Sequence, residues 1–204
     1  MSLLFETIKC QNRQLFNLDY HAIRVRNSLE NLGIIGDFDF ENTIKIPDWV
    51  GQGLYRCRVS YGEEIDKVEF FSYQFKHPKV IQLLENQTFS YQNKFEDRSF
   101  FQAILKENQG VDEVIITQNN FITDATYANV AFFDGAKWFT PTTYLLAGTK
   151  RAYLLDNQLI TEAEISISDL KKFKKIAFIN AMRDLDLAYH FSLQSKQIRI
   201  DVTA

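Results

Sequence analysis

Cysteine, proline and glycine are all scarce in this chain, at 2, 3 and 8 residues among 204. Two thiols, Cys10 and Cys57, are too few for a disulfide framework and too isolated for a thiolate zinc site. Reduced thiols in a cytoplasmic protein are therefore expected. Scarce proline and glycine argue against disorder, and 46% hydrophobic with 24% charged residues is ordinary for a chain that builds a core. Basic charge is also in short supply: 23 Lys and Arg face 26 Asp and Glu. Without a surplus to neutralise phosphates, nucleic acid is not expected as a partner. No run of about 18 apolar residues occurs, so no transmembrane helix is expected. Glu6 interrupts the opening stretch where a signal peptide would need a long apolar run.

Familiar catalytic motifs are missing too. There is no P-loop, no G-x-G-x-x-G and no G-x-S-x-G elbow. His21, His77 and His190 have no metal-ligand spacing, and no metal is expected. What the chain does have is aromatic residues, with 18 Phe and 9 Tyr.

The patterning predicts a mixed fold, α+β or α/β. Residues 3–10 alternate as a strand, and Gln11-Asn12-Arg13 makes a polar turn. Asp19 is the expected N-cap of a helix running to about Gly33, with Ile23, Leu29 and Leu32 supplying its apolar contacts. Residues 34–52 read as loop. Strands follow at 54–60, 67–73 and 80–84, then a helix at about 97–108. Beyond it come strands at 114–117, 129–133 and 137–140, the last two joined by an Asp134-Gly135 hairpin. A helix at 149–156, a buried strand at 176–180 and a terminal β-hairpin complete the chain. No Ser/Gly linker is present, and a first domain 1–88 and a second domain 89–204 are expected.

Two local features invite chemistry. Gly148-Thr149-Lys150-Arg151 opens a predicted helix, and free N–H groups at such a start favour phosphate. Asp124 lies in a predicted polar turn between two short strands, where a turn or capping residue is the common reading.

The segment Ile122-Thr123-Asp124-Ala125-Thr126-Tyr127-Ala128-Asn129-Val130-Ala131-Phe132-Phe133 resembles the signature of the class IV aminotransferase family, a hydrophobic-Thr-Glu turn followed by Asn and an apolar strand. Trp138-Phe139-Thr140-Pro141 is similar to its hydrophobic-Thr-Pro, and Leu145-Leu146-Ala147-Gly148-Thr149-Lys150-Arg151 to its L-L-x-G-[IV]-x-R. Upstream, Asp112-Glu113-Val114-Ile115-Ile116 resembles D-E-[AV]-L-L, Phe5-Glu6-Thr7 resembles F-E-T, and His21-Ala22-Ile23-Arg24 resembles H-x-x-R. The resemblance implies a fold-type IV enzyme of pyridoxal 5'-phosphate (PLP), with a small α+β N-terminal part and a larger β-barrel-like C-terminal part.

It also implies roles. Lys94, in Tyr91-Gln92-Asn93-Lys94-Phe95-Glu96-Asp97-Arg98, stands where the family has its Schiff-base lysine, and would also move protons; Lys106 is the nearest rival. Asp124 would face the pyridine nitrogen, Arg24 would hold the phosphate, and Gly148, Thr149 and Lys150 would add backbone N–H groups. Asn129 would support the phosphate region. Arg58 would meet a substrate carboxylate, against the alternative of a surface salt bridge. Thr7 resembles the lyases of the family, where branched-chain aminotransferases have Gly. Two departures are visible: Asp124 replaces the usual Glu, and the family's strand with Gly-Asp-Gly is not seen ahead of Phe5.

The expected reaction is that of an aminodeoxychorismate lyase, yielding 4-aminobenzoate for folate synthesis and pyruvate. The alternatives are an aminotransferase of branched-chain or D-amino acids, or a catalytically weak PLP-binding protein. A small-molecule amino substrate and a homodimer are implied by the resemblance, with no membrane partner.

Overall fold

The computed structural model describes residues 3–194 and 199–203. The chain divides into two compact units, one of residues 1–75 and 92–97, the other of residues 76–91 and 98–204. The division thus falls after Phe75, ahead of residue 88, and a short later piece carrying Lys94 returns to the first unit.

The first unit is built on an antiparallel sheet in the order β2-β1-β3-β4, with β1 Leu4–Gln11, β2 Gln14–Leu15, β3 Leu54–Tyr61 and β4 Ile65–Ser72. Alternation sends Leu4, Ile8 and Cys10 of β1 and Cys57, Val59 and Tyr61 of β3 to one face, all fully buried. Helix α1, Leu18–Asn31, adds Val25 and Leu29 to that core, and α2, Phe40–Thr43, adds Phe40. Each such aliphatic side chain contributes about 1.5–3 kcal/mol by leaving water.

Two details of α1 differ from expectation. Its N-cap is Asn17, in the left-handed region at φ 57, a conformation Asn tolerates; Asp19 sits in the first turn, where a carboxylate complements the helix dipole. Ile23 and Leu32 are 51% and 37% exposed, because the buried stripe runs through His21, Arg24, Val25, Ser28 and Leu29. Three polar residues on that stripe hid it from a reading by hydrophobicity. Gly33, at φ 72, closes the helix, and the Ile34 N–H bonds back to the Leu29 carbonyl at 2.9 Å.

In the second unit, the described residues form one large sheet in the order β10-β9-β8-β11-β12-β13-β5-β6-β7. Its strands are β5 Val80–Glu85, β6 Glu113–Gln118, β7 Phe121–Ala125, β8 Asn129–Phe133, β9 Trp138–Pro141, β10 Thr161–Ala163, β11 Lys175–Ile179, β12 Tyr189–Gln194 and β13 Arg199–Thr203. The sheet curls, since β7 at one edge also packs against β8 near the other. Pairing is parallel only for β5 with β6, across helix α3 Ser99–Glu107, and for β9 with β10, across helix α4 Thr149–Asp156. The core includes Ile81, Ile115, Ile122, Val130, Phe132, Ile176 and Phe178. This mixed α+β architecture, with few helices and a large curled sheet, agrees with the expected fold class. Among the described residues no helix is long and apolar enough to cross a membrane.

Candidate functional site

In the first unit, the core face of β1 carries a carboxylate among aliphatic residues. Glu6 is 0% exposed, between Leu4 and Ile8 on the same face. An unpaired carboxylate there would be prohibitive, so α1 supplies partners. His21 and Arg24, one turn apart, share a helix face and meet Glu6 together. His21 Nδ1 lies 2.5 Å from Glu6 Oε2, Arg24 Nε lies 2.8 Å from Oε1, and Arg24 Nη2 also bonds Oε2. Burial alone pushes the Glu6 pKa up, but the charges of Arg24 and His21, with their hydrogen bonds, bring it down to about 2. Burial pushes the His21 pKa down, against the opposing pull of the Glu6 charge and hydrogen bond.

This trio makes a pH prediction. Glu6 has a folded pKa below its ordinary 4.5, so its stabilisation is present above that value and is lost as pH falls toward 2. Roughly 3 kcal/mol of stability should disappear over that window. Urea unfolding at pH 2.5, 3.5, 5 and 7 checks it; Glu6→Gln should flatten the dependence, and an unchanged curve would refute the assignment.

The other face of the same sheet carries the expected catalytic groups. Thr7 is the register partner of Arg58 on β3. The Arg58 guanidinium lies 3.9 Å from the Phe5 ring centroid and bonds Glu96 Oε1 at 3.3 Å. Lys94 Nζ lies 4.8 Å from the same centroid. The backbone of its segment is tied to β1: Phe5 N–H donates to the Lys94 carbonyl at 3.0 Å, and Glu96 N–H to the Leu3 carbonyl at 3.0 Å. Phe5 is thus the common floor beneath a guanidinium and an ammonium, with the Thr7 hydroxyl group two residues along the same strand face.

In the second unit, Asp124 is not in a polar turn. It lies on β7 and is 5% exposed. Its Oδ1 accepts from Asn129 Nδ2 at 2.8 Å, and its Oδ2 accepts the backbone N–H groups of Leu145 and Leu146, each at 2.9 Å. Burial pushes its pKa up to about 6, against the lowering by those donors and by Arg151. Asn129 directs its other amide proton to the Leu146 carbonyl at 2.9 Å, so its amide ties Asp124 to the segment ahead of α4.

Gly148 is the N-cap of α4, and Thr149 and Lys150 follow, both buried. A Cβ on Gly148 would stand 1.8 Å from Asn129 Oδ1. Gly148→Ala should therefore displace Asn129, loosen Asp124 and cost about 1–3 kcal/mol; thermal unfolding of the variant measures it, and an unchanged midpoint would contradict this close approach.

The expected site residues thus form two clusters, one in each unit: Thr7, Arg58 and Lys94 around Phe5, with Arg24 held from the opposite sheet face by Glu6; and Asp124, Asn129 and Gly148 in direct succession, with Thr149 and Lys150 beyond. Sequence reasoning assigned no task to Glu6 or His21, nor to the Lys150 side chain. Glu6 was visible as a charge on the apolar phase of β1. The Lys150 partner, Asp184, had no local signal, since it bonds across 34 residues. Among the described residues no cluster of His, Cys, Asp or Glu could hold a metal ion.

Residues 101–185 match the family described as amino-transferase class IV. The chain is 33% identical over 185 residues to an uncharacterized protein of Haemophilus influenzae, covering 89% of this chain and 98% of that one. It is similar in structure to a "putative 4-amino-4-deoxychorismate lyase" from Haemophilus somnus, with a TM-score of 0.77, 30% identity, and coverage of 91% and 98%. A hypothetical aminotransferase from Mycobacterium tuberculosis in its PLP-bound form shares the fold, with a TM-score of 0.74 at 15% identity over 89% of this chain and 78% of that one.

Proposed function

This chain belongs to the class IV aminotransferase family, and on that premise we propose that it is a PLP-dependent lyase releasing pyruvate from 4-amino-4-deoxychorismate to leave 4-aminobenzoate. PLP is the cofactor of this family. The residues suit it on two counts. Asp124 is a buried carboxylate fit to face a protonated ring nitrogen, and Gly148 keeps the start of α4 bare of side chain. Bound PLP supplies a ring that takes up the electrons left when a bond to the amine-bearing carbon breaks.

The observation that carries the lyase reading is the grouping of Thr7, Arg58 and Lys94 about Phe5. Lys94 is the lysine that carries the cofactor and whose Nζ takes the proton from the amine-bearing carbon. Arg58 holds a substrate carboxylate with its fork of donors. The Thr7 hydroxyl group is within the same face to hand a proton to the departing enolpyruvyl group, whose ether C–O bond breaks to the ring. Aromatisation drives that step.

The test supplies 4-amino-4-deoxychorismate to the PLP-loaded protein and follows both products. Equal amounts of 4-aminobenzoate and pyruvate are expected. A parallel reaction offers amino acids with 2-oxoglutarate; transamination there with no 4-aminobenzoate in the first would replace the lyase reading with an aminotransferase.

A further inference from the structure

The first turn of α4 runs against the usual electrostatics of a helix. Lys150 and Arg151 are its second and third residues, and they are 7% and 5% exposed. A helix start carries partial positive charge from its unpaired N–H groups, so cations there are disfavoured and anions attracted. Burial adds a desolvation cost. Gly148 offers no side-chain cap, and no acidic residue lies in the first turn.

The two cations are secured differently. Arg151 Nη2 bonds the Pro141 carbonyl at 2.9 Å and Glu162 Oε1 at 2.5 Å, and its guanidinium lies 4.1 Å from the Tyr144 ring centroid. It is a strut between α4 and the β9–β10 pair. Lys150 sends Nζ to Asp184 Oδ2 at 2.6 Å, and lies 4.9 Å from the Tyr153 centroid. Asp184 is 44% exposed on its side chain, so water can take the place of Lys150 at little cost. A lysine is a point charge on a flexible stem, and a helical side chain leans toward the N-terminus of its helix.

We infer that the Lys150 ammonium, beyond its backbone N–H, binds the phosphate group at the start of α4, and that Asp184 weakens this grip by competing for it. The inference rests on the PLP reading and adds a charged contact within it. Two carboxylates pair with the two side-chain cations, and a phosphate at the helix start, favoured there by the partial positive charge, competes with Asp184 for the Lys150 ammonium.

The test measures the Kd of the cofactor-free protein for PLP and for pyridoxal, which lacks the phosphate, at low ionic strength. Wild type should prefer PLP; equal affinity for the two would overturn the phosphate site itself and with it the cofactor reading. In Lys150→Met, which keeps the apolar stem over Tyr153, PLP should bind about 10- to 100-fold more weakly while pyridoxal is unchanged. In Asp184→Asn, PLP should bind a few-fold tighter, again with pyridoxal unchanged. An unaltered PLP-to-pyridoxal ratio in Lys150→Met overturns the inference while leaving the cofactor reading intact. A fall there without a rise in Asp184→Asn keeps Lys150 and removes the role given to Asp184. If Lys150→Met does not fold, the Asp184→Asn ratio decides: a rise supports the inference, and no change overturns it.

Discussion

Lys94→Ala is expected to lose the borohydride-reducible adduct with PLP and to lower turnover by about 10^3-fold or more. The loss should be chemical, not structural. Lys94 is tied to β1 through its backbone carbonyl, which alanine retains, and its side chain is only partly buried. Removing it should cost less than about 1 kcal/mol of stability. Mass analysis of peptides after reduction locates the adduct directly. Lys106, near the end of α3, is the natural control, and Lys106→Ala should leave adduct and turnover unchanged. An adduct that survives Lys94→Ala would move the cofactor to another lysine and dissolve the roles drawn around Phe5.

The second large effect is Asp124→Asn. If Asp124 faces the ring nitrogen as proposed, losing its negative charge should lower turnover by about 10^2- to 10^3-fold, because an unprotonated ring is a poorer electron acceptor. The substitution has a structural cost as well. Two backbone N–H groups point at Oδ2, and Asn129 Nδ2 points at Oδ1. An asparagine oxygen can serve the backbone pair, but its amide would then oppose the Asn129 amide, donor against donor. That mismatch in a buried site should cost about 1–3 kcal/mol. Asp124→Glu restores the charge and separates the two effects: turnover should recover by at least about tenfold over Asp124→Asn. Equal turnover in the Asn and Glu variants would remove the charge from the mechanism.

Asp124 also bears on the pH behaviour of the cofactor-free protein, in the direction opposite to Glu6. Its folded pKa is raised, so the favourable contribution of its protonated form is complete below the ordinary value of 3.8 and is lost as pH rises through about 6. A cationic ring nitrogen would offset that cost by pairing with the carboxylate.

Some of this molecule could be read along the chain. The β3–β4 and β8–β9 hairpins announce themselves through alternation and turn residues, and α4 begins and ends where its pattern says, because these elements depend on neighbours in sequence. The order of the large sheet could not be read in the same way. Strand β13 pairs with β5 through Asp201–Val80 and Ile200–Ile81, and alternation marks a face without naming a neighbour. The return of residues 92–97 to the first unit was hidden for the same reason: an isolated pairing of Leu4 with Phe95 leaves no periodic trace.

The candidate site divides along the same line. By itself the sequence determined which residues could bear chemistry: a lysine ahead of α3, an acid before Asn129, and a glycine at the head of α4. Only tertiary structure decided the company each one keeps. Glu6 meets His21 and Arg24, the Leu145 and Leu146 N–H groups hold Asp124, and Lys150 finds Asp184. A charge taken out of water must be met by an opposite charge or a donor at about 3 Å, and at these buried positions that partner arrives from another part of the chain, through space and not through sequence.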